Sequence, residues 1–172
     1  MNSKSNKRLE ELTNVFKTKN IRQIIKTVSA LRNEKPSEGI IEELVVLFDK
    51  SSEKEIRQSV ENFMNDFKDQ TSIPEIISEI KNDRHPLTKK MLLSSCWQSG
   101  LDYSQHANDI AEIFLTSDYA CALECLTIFG ESMSSLEMEE KEIISKFISD
   151  NCDSVNSENQ ILIEELQMIL RI

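Results

Sequence analysis

Apolar residues recur along this chain at a nearly fixed interval, and that recurrence constrains the fold more than any other feature. Ile24, Ile56, Leu87 and Tyr119 lie 32, 31 and 32 residues apart. Val28, Val60, Met91 and Leu123 repeat these intervals, and so do Leu31, Phe63, Ser94 and Leu126, with Ser94 the weak member. The unit behind the columns is clearest over 47–67, LFDKSSEKEIRQSVENFMNDF. It reads as the end of one helix, a short polar turn, and a second helix with Ile56, Val60, Phe63, Met64 and Phe67 on one face. A period of this length, with two helices per unit, is the pattern of stacked helix pairs.

Taken in order, the chain reads as ten helices. Residues 1–5 are polar and expected to fray. Helical spacing then covers about 6–17, a second segment opening at Asn20 and stopped by Lys35-Pro36, and a third over 37–50. A fourth follows Ser52, and the rest cover about 73–82, 86–99, 104–115, 117–132, 136–151 and 154–171. Asn20 with Gln23, Ser52 with Glu55, Ser72 with Glu75, and Ser134 with Glu137 have capping-box spacing. Pro74 and Pro86 fall in first turns, where a missing N–H costs nothing, and Gly100 can close a helix in the left-handed conformation. The eighth segment is apolar nearly all round, which predicts cover on several sides. No stretch alternates as a strand would, and 3 Gly and 3 Pro are too few for the turns of a sandwich or barrel. Short connections make successive helices antiparallel.

Charge narrows the partners. With 20 basic and 30 acidic residues the chain carries −10. Nucleic acid and anionic membrane surfaces call for a basic face, so both are disfavoured. No apolar run approaches the roughly 20 residues that span a bilayer. The N-terminal MNSKSNKRLEEL has no apolar core of the kind a secretory signal needs. Cys96, Cys121, Cys125 and Cys152 lack the CxxC spacing and read as reduced thiols of a cytoplasmic protein.

The units resemble HEAT repeats. Leu47-Phe48-Asp49 followed by Ile56-Arg57 and Val60 matches the family pattern, in which an Asp-containing turn leads into an aliphatic residue and an Arg. Ile113-Phe114-Leu115 with Asp118, Ala122, Leu123, Leu126 and Gly130 matches again. A third unit keeps Asp83, Pro86, Leu87 and Gly100, but has Thr88 where Arg is expected, with Lys89 and Lys90 beside it. The resemblance covers about 21–132, and the terminal pairs match poorly, as terminal repeats do. It implies an all-α fold: a right-handed α-α superhelix, a HEAT-like solenoid of about five helix pairs, forming one domain over 1–172. It also implies a non-enzymatic protein-interaction scaffold that presents its second, inner helices to a peptide or protein. The alternative within the same resemblance is an enzyme using the concave face, as in HEAT-like alkylpurine DNA glycosylases and phycobilin lyase-like proteins. No motif here carries their functional residues over.

Candidate contact residues are Arg57, Glu61, Lys90 and Trp97, which fall between the core columns near the starts or outward faces of inner helices. Trp is frequent at binding hot spots, yet a Trp partly buried between neighbouring helices is the plainer reading. Arg57, Lys89 and Lys90 could form a small positive strip; solvated charges paired with local Glu are the plainer reading. The acidic balance predicts a partner with basic patches. Cys121 and Cys125, four apart on one face, could hold a metal but have no neighbouring His or Cys to complete a site; buried thiols are the plainer reading. His85 and His106, the only histidines, lie in turns and could meet. Glu137, Glu139, Glu140 and Glu142 suit the start of a helix, where the backbone dipole favours negative charge. No Ser/His/Asp order, Gly-rich phosphate loop or zinc motif is present, so no catalytic residue, metal or cofactor is expected. The apolar tail set Met168, Ile169, Leu170 and Ile172 could cap the stack or pair with its twin.

Overall fold

A computed structural model describes residues 3–34, 37–132, 136–152 and 157–170. Ten α-helices follow one another with no strand among the described residues: α1 Ser3–Phe16, α2 Ile21–Leu31, α3 Ile40–Lys50, α4 Lys54–Asn65, α5 Ile73–Lys81, α6 Pro86–Ser99, α7 Ala107–Thr116, α8 Tyr119–Ser132, α9 Met138–Asn151 and α10 Gln160–Leu170. Single 3-10 turns at Gln70–Ser72, Ser104–His106 and Ser157–Asn159 lead into α5, α7 and α10. None of the described helices is long and apolar enough to cross a membrane.

The helices form two compact units, Met1–Ser95 and Cys96–Ile172, and the division falls inside α6. In the first unit α1 packs on α2 and α3 on α4 as hairpins, α1, α3 and α5 pack in succession, and α2 packs on α4. Arg8 of α1 forks onto Glu34, at 2.9 and 2.6 Å, and ties the end of the first hairpin. In the second unit α7 packs on α8 and α9 on α10, while α7 meets α9 and α8 meets α10. Helices α1 to α4 and α7 to α10 thus pack both on a hairpin partner and on a helix two places along the chain, and α5 packs on α3.

Burial repeats, but not in the register that residue type alone suggests. Leu87, Tyr119 and Leu123 are 54%, 45% and 42% exposed, so three members of the expected columns face solvent. The buried columns are Ile24, Ile56, Thr88 and Cys121; Val28, Val60, Leu92 and Cys125; and Leu31, Phe63, Ser95 and Ile128. Their spacings are 32, 32 and 33. In α6 the shift goes with two polar residues that enter the core already bonded. Thr88 Oγ1 donates to Asp49 Oδ1 at 2.6 Å, and Ser95 Oγ donates to the Leu92 carbonyl at 2.7 Å. A bonded hydroxyl escapes most of the cost of burial. Each large aliphatic column member contributes about 1.5–3 kcal/mol by leaving water. Helix α8 is not covered on all sides, since Tyr119 and Leu123 form its open face.

Helix starts differ from the expected boxes. The Asn20 side chain does accept the Gln23 N–H, at 3.1 Å. At α4, Glu53 is the N-cap with no side-chain bond, and Ser51, not Ser52, orders the turn by accepting the Glu53 N–H. At α5, Ser72 makes no cap, because Asp69 nucleates a 3-10 turn by accepting from Thr71. At α9 the box is Glu137 with Glu140; Ser134 lies outside the described residues. Helix α1 begins at Ser3, inside the stretch expected to fray, since polar residues are tolerated where the first N–H groups have no partner.

Candidate functional site

Along one edge of its core stripe α4 carries Arg57 and Glu61, four residues apart and both part-buried. In the same unit α6 contributes Leu87, Lys90, Met91 and Ser94, and Phe48 of α3 lies beneath Arg57. Together they line a shallow hollow of about 230 Å³. Three of the four predicted contact residues, Arg57, Glu61 and Lys90, therefore meet in one place. Trp97 belongs to the second unit, where its Nε1–H donates to Glu124 Oε2 at 2.8 Å and its ring is half-buried.

The guanidinium of Arg57 stands 5.6 Å above the centre of the Phe48 ring, within cation–π reach. Its Nε is sealed from solvent and has no hydrogen-bond partner. Glu61 accepts only a long contact from Gln58, 3.5 Å. Charge and apolar surface are side by side here. Sequence reasoning missed the floor of the hollow: Leu87 was assigned to the core, and Phe48 was read only as part of a repeat.

A larger cleft, about 700 Å³, opens between the α1–α2 and α3–α4 turns of the first unit. Phe16, Ile21 and Val46 give it an apolar floor, and Lys17, Lys19 and Lys50 line it with Glu43 and Glu53. Its only trace in the sequence is the placing of lysines beside two helix ends.

The other candidates are held within their own surroundings. Asp49 accepts from Thr88 and from the His85 N–H, which holds its carboxyl below the usual range; the Thr88 bond is the main cause. His85 Nδ1 accepts the Leu87 N–H at 3.2 Å, and His106 Nδ1 lies 2.9 Å from Asp109. Cys96, Cys121 and Cys125 are buried. Burial pushes the Cys96 thiol up to about 12, against the hydrogen bond from Tyr103, and pushes Cys125 up as well. Among the described residues no three His, Cys, Asp or Glu side chains gather as a metal site requires. No protein family, curated protein or solved structure matches the chain.

Proposed function

We propose that this chain is a HEAT-like α-solenoid of about five helix pairs that works in the cytoplasm as a non-enzymatic scaffold, presenting the second helices of its pairs to a peptide or protein. Hairpins that pack first helix on first and second on second support the architecture. The observation that carries the function is the open surface on α4 and α6: Leu87 is 54% exposed beside Lys90 and a guanidinium fixed over Phe48. Apolar contact ringed by polar groups is how such surfaces hold partners.

Affinity capture from native lysate tests the reading, comparing the wild-type chain with an Arg57→Glu, Lys90→Glu double variant of equal helicity. A partner retained by the first and lost by the second is expected. Identical recovery by both chains overturns this face as the contact surface.

A further inference from the structure

The hollow has the opposite sign to the chain that carries it. The whole sequence is at −10, which by itself favours a basic partner. Arg57 and Lys90 line the hollow against the single carboxylate of Glu61. Neither cation makes an ion pair or hydrogen bond among the described residues. Arg57 and Glu61 have the i, i+4 spacing at which helix pairs commonly form, yet the guanidinium lies over Phe48 instead. That placement matters: a guanidinium held over a ring by its carbon keeps its terminal Nη groups for a carboxylate, which they can meet as a two-pronged donor. The apolar part is equally specific. Phe48 and Met91 form buried floor, Leu87 stands half out of it, and the space of about 230 Å³ lies below the roughly 300–1,000 Å³ of small-molecule sites. It is the size for one inserted side chain.

We infer that the hollow takes a segment of a partner protein in which an apolar side chain adjoins an Asp or Glu, the apolar group resting on Phe48, Leu87 and Met91 and the carboxylate on Arg57 and Lys90. This rests on the scaffold reading and specifies its partner: an acidic–apolar motif, against the direction of the overall charge. The long-range field slows approach of such a segment, and the contact itself holds it, so salt acts on the two steps in opposite senses.

The test uses two pools of short, fluorescein-labelled peptides with blocked termini. Both carry Leu, Ile or Phe; one adds Asp and Glu, the other Lys and Arg. Fluorescence anisotropy with the full chain is expected to show binding of the acidic–apolar pool only. Arg57→Gln should weaken it about tenfold or more, the loss of one charge-assisted pair. Lys90→Gln, at an exposed position that asks nothing of the fold, should weaken it as well, and Lys17→Gln, outside the hollow, should leave it unchanged. Binding of the basic pool alone overturns the inference and keeps the scaffold. Acidic-pool binding indifferent to both hollow variants overturns the siting. Binding of neither pool overturns the inference and the scaffold reading together.

Discussion

Thr88 donates its hydroxyl to Asp49 at 2.6 Å, across 39 positions of sequence, and the same carboxylate accepts the His85 N–H at the start of α6. A cap of this kind normally comes from the residue just before the helix; here it comes from the end of α3. Thr88→Val should cost about 1–3 kcal/mol in urea unfolding, because it leaves a carboxylate short of a donor and buries nothing polar in exchange. The pH dependence has a defined sign. The folded carboxyl of Asp49 titrates below its ordinary value of 3.8. Its stabilisation is therefore complete above that value and is lost as pH falls through the lower, folded one. Asp49→Asn should flatten this acid limb.

Glu75 should show the opposite slope. It accepts the Glu42 N–H at 3.1 Å and caps α3 from α5, yet burial raises its carboxyl above the ordinary 4.5. Stability then falls as pH rises from that value through the raised one. Glu75→Gln should remove the fall, as read by melting temperature across the acid range.

The buried carboxylate of Glu79 is answered by Arg84 Nε at 3.0 Å and by Asn82 Nδ2 at 3.0 Å. Removing the cation alone strands a charge where water does not reach it. Arg84→Met is expected to cost about 3–5 kcal/mol in chemical denaturation, and Glu79→Met with Arg84→Met to recover much of the loss.

Three glycines separate backbone strain from crowding. Gly100 closes α6 at φ +66 with nothing near a built Cβ, so Gly100→Ala should cost only the left-handed conformation, about 1–2 kcal/mol. Gly39 has φ +88 and would set its Cβ 3.1 Å from two Leu9 methyl carbons, so Gly39→Ala should cost more. Gly130 lies inside α8 with open space, and Gly130→Ala should stabilise by about 0.5–1 kcal/mol. Thermal unfolding of the three variants gives the order directly.

The thiols should divide one against three. Cys152 is half-buried, and Cys96, Cys121 and Cys125 are sealed. With the Cys96 thiol pushed up to about 12, it is not a nucleophile at ordinary pH. Ellman's reagent should modify a single cysteine quickly in the native chain and all four only on unfolding.

The helices were legible from the sequence because apolar spacing records them directly. The register of α6 and α8 was not. Counting apolar residues puts Leu87 inside and Thr88 outside, and only the position of Asp49 reverses them. Capping failed for the same reason. Asp49 and Glu75 serve helices that their own stretch of chain does not contain, and Asn159 donates to the Ser117 carbonyl that ends α7, at 3.0 Å. Local motifs cannot report a hydrogen-bond partner that arrives from more than 30 residues away. At the hollow, the charged residues could be picked out from the sequence, since they stand between core positions. Phe48, which orients one of them, could not, because an aromatic ring at helical spacing reads as core wherever it lies.

The lone Trp97, in its bond to Glu124, lies in the Cys96–Ile172 unit, and so do Tyr103 and Tyr119, the only tyrosines. The Met1–Ser95 half is consequently dark above the absorption of phenylalanine. Indole emission follows one half of the molecule alone, while far-ultraviolet dichroism sums the helices of both. Melts recorded by the two signals superimpose if the halves unfold as one, and separate if they do not, with no label or substitution added.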